Sequence, residues 1–139
     1  MQIERIDHLV LTVADIERTV SIYTAVLGME AVTFAEGRRA LAFGEQKINL
    51  HEAGREFDPK AALPTPGSAD LCLVTHASAE EIEAWLRGRD VEIEEGPATR
   101  TGARGSITSF YVRDPDRNLI EVATYARAAA ATPNADREA

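Results

Sequence analysis

Two of the three histidines, together with a few carboxylates in strand-like segments, are the residues of this chain best suited to chemistry, whereas His76 lies at a strand-to-helix turn and is expected to be structural or exposed. His8 lies in an alternating segment, His51 ends another, and Glu121 interrupts the apolar run LIEVA at residues 119–123. An ionised carboxylate inside an apolar strand is costly unless it is paired, hydrogen-bonded or bound to a metal. Glu121 is therefore the most informative single residue, with an exposed place on a half-solvated strand as the alternative.

A second carboxylate enters because one pattern recurs along the chain. The stretch DHLVL at residues 7–11 matches ADLCL at residues 69–73, so Asp70 stands where His8 stands in the first half. Imidazoles and carboxylates brought together from two such modules suit Mn, Fe, Co, Ni or Zn, and leave positions on the ion for water or substrate. The candidate metal ligands are His8, His51, Asp70 and Glu121. Core or surface positions for the histidines are the competing interpretation.

Hydrophobic periodicity predicts the elements that position these residues. Residues 4–13 alternate with a period of two, which predicts a strand, and Asp15 is a good cap for the helix that follows. Gly28 ends this helix in the place favoured for a left-handed residue. Short strands are then expected at residues 31–36, 40–43 and 47–52, with turns at Gly37 and Gly44.

The same order of elements returns after a linker rich in proline and glycine at residues 54–68. A strand is expected at residues 69–75, and Ser78 with Glu81 predicts a capping box at the start of a helix that ends at Gly88. The expected buried face of this helix consists of Ile82, Trp85 and Leu86. Further strands are expected at residues 91–94, 106–112 and 118–125. Repetition of one unit at an offset of about 60 residues predicts a duplicated module.

Length and composition fit one domain. The 139 residues, 45% of them hydrophobic, are enough for a packed core. We expect a single domain over residues 1–125, with module one at 4–53, the linker at 54–68 and module two at 69–125. The alanine-rich stretch at residues 126–139 is expected to be a disordered tail.

Charge and cysteine content exclude several classes of protein. The net charge of −8 argues against a nucleic-acid partner, since phosphates would be repelled. No apolar run approaches the roughly 20 residues that span a bilayer, and the charged N-terminus is unlike a signal peptide. The single Cys72 excludes an internal disulfide and a thiolate zinc site, and is expected to be a small buried hydrophobe. We therefore expect a cytoplasmic protein that binds neither membrane nor nucleic acid.

A basic stretch broken by glycines, at residues 99–106, is the remaining motif. It is either a mobile loop over a site, where Arg100 or Arg104 would meet an anionic substrate group, or a plain solvated hairpin.

Taken together, the motifs resemble the vicinal oxygen chelate superfamily, which includes glyoxalase I, fosfomycin-resistance thiol transferases, bleomycin-resistance proteins and extradiol dioxygenases. The resemblance covers residues 4–125 and is carried by IDHLVLTV at 6–13, Tyr23, LG at 27–28, RDPD at 113–116 and NLIE at 118–121. The stretches KINLH at 47–51 and PGSADL at 66–71 further resemble bacterial glyoxalase-like virulence proteins.

The resemblance implies an α+β fold in which two βαβββ modules form a cupped mixed sheet around one divalent metal ion. Family ligands come from the first and fourth strands and from the first and last strands of the second module, which points to His8 and Glu121. Glyoxalase I has a glutamate in the fourth strand where this chain has Asn49, with His51 one alternation further along. The second module usually supplies histidine where this chain has Asp70. These departures argue against lactoylglutathione lyase activity itself.

The implied function is that of a metal-dependent enzyme acting on a small oxygenated or electrophilic metabolite by isomerisation, lyase or group-transfer chemistry. Glu121 would serve as ligand or proton shuttle. The expected substrate contacts are Asn49, Arg100 and Arg104. A non-catalytic ligand-sequestering protein of the bleomycin-resistance type is the alternative, and an extradiol dioxygenase ranks last because only His76 is left to supply a further catalytic histidine. A homodimer is expected, with modules pairing either within one chain or between two.

Overall fold

The computed structural model describes residues 1–126 and contains two copies of one βαβββ module. The first module consists of β1 (His8–Val13), α1 (Ile16–Leu27), β2 (Glu30–Phe34), β3 (Arg38–Phe43) and β4 (Gln46–Glu52). The second consists of β5 (Asp70–Val74), α2 (Ala79–Gly88), β6 (Glu95–Gly102), β7 (Gly105–Arg113) and β8 (Leu119–Thr124). The predicted α+β class and duplicated module are confirmed. The predicted tail at residues 126–139 lies, apart from Ala126, outside the described residues.

Each module forms its own four-stranded mixed sheet, and the two sheets share one strand order. The first is ordered β1-β4-β3-β2 and the second β5-β8-β7-β6. In both, the first and last strands of the module pair in parallel, while the other neighbours are antiparallel. The duplication therefore extends to strand pairing. Neither of the two helices in residues 1–126 is long and apolar enough to cross a membrane.

Both helices begin where the sequence predicts. The Asp15 side chain accepts a hydrogen bond from the backbone N–H of Arg18, and Gly28 ends α1 in the left-handed conformation with φ 66°. In α2, Ser78 and Glu81 form the predicted capping box. Such caps satisfy backbone N–H groups that the first helical turn leaves without partners.

The helix α2 ends at Gly88, as predicted, and the left-handed residue beyond it is Asp90, with φ 57°. The buried face of α2 differs from prediction. Ile82 and Leu86, four residues apart, are buried, whereas Trp85 is 45% exposed and lies beneath the Arg89 guanidinium. The expected burial of Trp85 is wrong because the contact face of this helix is a narrow stripe.

Two predictions about the second sheet are also wrong. No strand forms at residues 91–94, and β6 instead begins at Glu95 and includes residues 99–102 of the basic stretch. Pro97 lacks an N–H, and the register of β6 is irregular between Glu95 and Ala98, which an edge strand tolerates. Cys72 is exposed rather than buried.

By its contacts the chain forms two compact units. One contains Met1–Ala69 together with Asp114–Asn118, and the other contains Asp70–Arg113 together with the chain from Leu119 onward. The segment Asp114–Asn118 follows β7 and precedes β8 in sequence, yet it belongs to the first unit.

The carboxylate of Asp114 organises that segment. Its Oδ2 accepts hydrogen bonds from the Tyr23 hydroxyl at 2.6 Å and from the Asn118 side-chain amide at 2.8 Å. Its Oδ1 accepts from the backbone N–H groups of Asp116 and Asn118, both at 2.9 Å. Asn118 Oδ1 in turn accepts from the backbone N–H of Ala69 at 2.8 Å. A buried carboxylate with four donors is satisfied in the way that burial requires.

Tyr23→Phe should lower the free energy of unfolding by about 1–3 kcal/mol, because the buried Asp114 carboxylate loses one of its four donors. Chemical denaturation monitored by circular dichroism measures this. Tyr125→Phe is the matched control, since the Tyr125 hydroxyl accepts its hydrogen bond from Arg104 at an exposed turn; its effect should stay within about 0.5 kcal/mol. Equal losses for the two variants would contradict the role given to Asp114.

Candidate functional site

One face of the first sheet carries the predicted site residues of that unit. In the parallel pair β1–β4, His8 lies opposite Lys47, Val10 opposite Asn49 and Thr12 opposite His51. Alternate residues of a strand share a face. The first sheet therefore brings His8, Asn49 and His51 to one face, and its other face carries core residues such as Leu11, Val13 and Leu50.

His8 is half-exposed and is held by its neighbour in sequence. Its Nδ1 lies 2.8 Å from Asp7 Oδ1. The hydrogen bond from His8 is the main reason why the pKa of Asp7 lies below its usual value, so the carboxylate is ionised and Nδ1 must be the donor. The lone pair of Nε2 is then left available whenever the ring is neutral. A carboxylate behind an imidazole is the arrangement that orients metal-binding histidines.

Asn49 is buried, with 7% of its surface exposed, and its side-chain oxygen is unusual. Oδ1 has no hydrogen-bond partner within residues 1–126. An unsatisfied buried acceptor costs about 1–3 kcal/mol, and such a group commonly faces a bound water, ion or ligand. Asn49 therefore has the unused acceptor expected of a binding residue.

His51 is 4% exposed and its imidazole is tied to a cation. Its Nε2 lies 3.4 Å from Arg38 Nη2, and its ring meets Phe57 edge-on with 5.6 Å between centroids. A guanidinium can only donate, so Nε2 accepts and the proton of the neutral ring is on Nδ1. Burial, followed by the charge of Arg38, lowers the pKa of His51. The lone pair that a metal ion would need is therefore occupied by a positively charged group.

A cavity of about 270 Å³ lies beside His51 within the first unit. It is lined by Val10, Thr12, His51, Pro59, Lys60, Ala61 and Pro64. Residues 59–64 belong to the segment that the sequence marks only as a linker, so its role as a cavity wall was missed. The two prolines, which stiffen the segment, are the one sequence signal that could have indicated it.

The second sheet repeats the arrangement with different side chains. Asp70 opens β5 as His8 opens β1, and Cys72 lies opposite Glu121 as Val10 lies opposite Asn49. By strand register, Glu121 is thus the counterpart of Asn49. Partial desolvation, and after it the charges of Glu121 and Asp70, raises the pKa of Cys72 to about 11. The thiol is therefore protonated at neutral pH and is a poor nucleophile.

Glu121 is half-buried at one end of a hydrogen-bonded network. Its Oε2 accepts from the hydroxyl of the fully buried Ser109 at 2.5 Å, and Tyr111 is its neighbour across β7–β8. Burial and the charge of Glu121 raise the pKa of Tyr111, and the hydrogen bond and charge of Arg100 lower it by less. The pKa of Tyr111 is therefore raised and the phenol keeps its proton. Arg100 donates from Nε to the Tyr111 hydroxyl at 3.0 Å and from Nη2 to Glu95 at 2.6 Å.

The two arginines of the basic stretch both have partners inside the second unit. Arg100 lies within β6 and donates to Tyr111, Glu95 and the carbonyl of Thr99. The Arg104 guanidinium lies 4.5 Å from the centroid of the Tyr125 ring. Of the two readings of this stretch, the hairpin is the observed one, with residues 103–104 as its turn.

Sequence reasoning missed the residues that support the predicted ones. These are Ser109 and Tyr111, which share one face of β7, and Arg38, which shares one face of β3 with Ala40. Alternation along a strand predicts which residues share a face, but it does not show which strands are neighbours. The structure groups His8 with Asn49 and His51 in one unit, and Asp70 with Cys72 and Glu121 in the other. In residues 1–126, no three or more His, Cys, Asp or Glu side chains form a cluster suited to a metal ion.

The lowered pKa of His51 predicts a pH dependence of stability. Its ordinary value is 6.5, so as pH falls below this the unfolded chain binds a proton that the folded chain does not. Between about pH 5 and 7, the free energy of unfolding should rise with pH, and His51→Gln should flatten that slope. Arg38, Lys60 and Glu56 act on His51 through their charges. Denaturant titrations at several pH values measure the slope, with His76→Gln as control; an unchanged slope in His51→Gln would contradict the assignment.

Comparison with known proteins gives the chain a family. The sequence profile of the Glyoxalase/Bleomycin resistance protein/Dioxygenase superfamily matches residues 5–122. Virulence protein STM3117 of Salmonella typhimurium is 55% identical over 125 residues, which is 90% of this chain and 87% of that protein. The structure of an integron cassette protein from V. cholerae superposes with a TM-score of 0.89 at 57% identity, covering 91% of this chain and 98% of that one.

Two more distant structures share the fold alone. One is a lactoylglutathione lyase from Agrobacterium tumefaciens, with a TM-score of 0.70 and 20% identity over 90% of this chain and 96% of that one. The other is TnmS3, an antibiotic binding protein from Streptomyces, with a TM-score of 0.68 and 22% identity over 89% of this chain and 98% of that one. A lyase and a binding protein thus have almost equal structural similarity to this chain, so fold similarity does not separate their functions. On its sequence profile and its relatives, the chain belongs to the glyoxalase/bleomycin resistance protein/dioxygenase superfamily.

Proposed function

We propose that this protein is a metal-dependent glyoxalase-like enzyme acting on a small oxygenated or electrophilic metabolite through two neighbouring substrate oxygens. The observation that carries the proposal is the Asp7–His8 pair, in which Nδ1 lies 2.8 Å from a carboxylate. This pair fixes the ring and leaves Nε2 as a ligand. On a half-exposed strand residue, a carboxylate-backed imidazole has little structural purpose, because exposed ion pairs contribute little to stability.

The donor chemistry of the chain fits a divalent ion. His8 offers an imidazole nitrogen, and Glu121 offers a carboxylate that is held by a hydrogen bond from Ser109 to Oε2 and by a second one with Tyr111. This nitrogen and oxygen set suits Ni, Mn, Fe, Co or Zn. Asp70, the register counterpart of His8, is our candidate for a third ligand. We leave His51 out of the set because Arg38 engages its Nε2.

The remaining chemistry belongs to the side chains around Glu121. When bound, the ion supplies Lewis-acid polarisation of two adjacent substrate oxygens. If substrate displaced it from the ion, Glu121 would act as a general base for a proton next to those oxygens and would itself return that proton, while Ser109 fixes the carboxylate. Tyr111, which stays protonated beside Glu121, orients the carboxylate by a hydrogen bond. Asn49 replaces the fourth-strand carboxylate of glyoxalase I, so lactoylglutathione lyase activity is not proposed.

The proposal extends to assembly and place of action. We infer a homodimer that acts on a small molecule, as expected from the resemblance to its superfamily. We also propose that it acts in the cytoplasm, as its charged N-terminus and short apolar runs led us to expect. The negative charge of the chain supports the absence of a nucleic-acid partner.

A ligand-sequestering protein without catalysis is the second candidate. The cavity beside His51 favours it, because a binding protein needs a shaped pocket and no ion. Metal content separates the two candidates directly.

Protein purified without chelator should hold about one divalent ion per chain, as a mononuclear site requires. His8→Ala and Glu121→Gln should each lose most of this metal, together with the thermal stabilisation that added metal gives. Elemental analysis and thermal-shift assays measure both quantities. His76→Ala is the control and should keep its metal. If the His8 and Glu121 variants match the wild type in both assays, the enzyme proposal fails and the sequestering candidate takes its place.

Asp7→Asn should weaken metal binding by about 10–100-fold, since an amide orients the His8 ring less well and makes it less basic. Titration against a competing chelator gives the affinity. Asp90→Asn removes a carboxylate at an exposed left-handed position and is the matched control for charge. If metal affinity fell equally in the two variants, the effect would come from net charge, and this result would contradict the orienting role of Asp7.

A further inference from the structure

The cavity beside His51 has an uneven polarity. Four of its seven lining residues are apolar: Val10, Pro59, Ala61 and Pro64. The polar ones are Thr12, His51 and Lys60, and each can donate a hydrogen bond. Among residues 1–126, no carboxylate or side-chain amide lines it. A ligand seated there would therefore have an apolar body and an acceptor group.

His51 is restricted to the donor role by its partner. Its only hydrogen bond within the described chain joins Nε2 to the Arg38 guanidinium, which fixes the proton on Nδ1. His51 lines the cavity, and the hydrogen bonds of residues 1–126 include no acceptor for its Nδ1–H. This N–H is therefore available to donate to a ligand oxygen in the cavity.

The charge around His51 is positive in a chain whose net charge is −8. Arg38 is packed over the rings of Phe34 and Phe57, its Nε is buried without a partner, and no carboxylate in residues 1–126 forms an ion pair with it. Lys60 has a partner, since its Nζ lies 3.9 Å from Glu56 Oε1. Two cations against one carboxylate leave one positive charge beside the cavity.

We propose that this cavity binds the carboxylate of a small organic acid, with the carboxylate at His51, Thr12 and Lys60 and the apolar part against Val10 and the two prolines. At about 270 Å³ the cavity lies just below the usual range of roughly 300–1,000 Å³ for ligand pockets, which selects a small molecule. Arg38 acts as a positioning residue that holds His51 as a donor and supplies the charge. The binding requires no metal ion, so it goes beyond the enzyme proposal. It also assigns anion recognition to the first unit, whereas Arg100 and Arg104 belong to the second.

Benzoate and benzamide, which differ in charge and little in shape, test the proposal on the full chain in the presence of EDTA. Benzoate should bind at least about tenfold more tightly than benzamide by calorimetry, as expected for hydrogen bonds to a charged group. It should also shift the methyl resonances of Val10. Equal affinities, or benzoate saturation that leaves the Val10 methyl groups unmoved, would overturn the proposal.

Two neighbouring arginines on β3 provide matched variants. Arg38→Met should abolish the preference for benzoate and release the fixed tautomer of His51, which the ¹⁵N shifts of the imidazole report. Arg39 lies on the opposite face and pairs with Glu17, so Arg39→Met should keep both properties. If Arg38→Met does not fold, Lys60→Met in the loop replaces it and should weaken benzoate several-fold while leaving benzamide unchanged. Loss of the preference in Arg39→Met, or its retention in the variants of Arg38 and Lys60, would refute the site.

Discussion

The buried carboxylate of Asp114 is the constraint on which the conformation of the segment Asp114–Asn118 depends. Its donors are the Tyr23 hydroxyl of α1, two backbone N–H groups and the amide of Asn118. Asn118 also binds the backbone of Ala69. The next residues, Asp70 and Leu119, begin β5 and β8 opposite each other. Asp114 thus orders the segment Asp114–Asn118, and Glu121 lies two residues after Leu119 in β8, opposite Cys72.

In the first unit, two histidines of one sheet face have opposite chemistry because their partners have opposite charge. The Asp7 carboxylate accepts a hydrogen bond from Nδ1–H of His8, which leaves Nε2 available to a cation. The Arg38 guanidinium donates a hydrogen bond to Nε2 of His51, which leaves Nδ1–H to donate to an acceptor. We therefore propose that the same residue type, two alternations apart in neighbouring strands, provides a metal ligand in His8 and a hydrogen-bond donor to an anion in His51. A metabolite with a carboxylate and neighbouring oxygens is complementary to both.

The sequence predicted what depends on local periodicity and capping. The α+β class, both helix starts, the Gly28 cap and the matching places of His8 and Asp70 follow from alternation, cap residues and repetition. It could not predict what depends on neighbouring strands. Ser109, Tyr111 and Arg38 become partners of site residues only once register is known, and the cavity wall at residues 59–64 has no periodic signal. Trp85 and Cys72 were misplaced because apolar character does not reveal which face is covered. β6 was misplaced because Pro97 resembles a break.

The two modules have different residues at equivalent register positions. The first module has His8 and Asn49 where the second has Asp70 and Glu121. Our account is that His8 and Glu121 together hold one divalent ion. Anomalous diffraction from crystals grown with Zn²⁺ tests this most directly. We predict a zinc peak bonded to His8 Nε2 and to a Glu121 oxygen at about 2.0–2.2 Å. A peak bonded to His51 Nε2, or no peak at His8 and Glu121 in metal-saturated crystals, would contradict it.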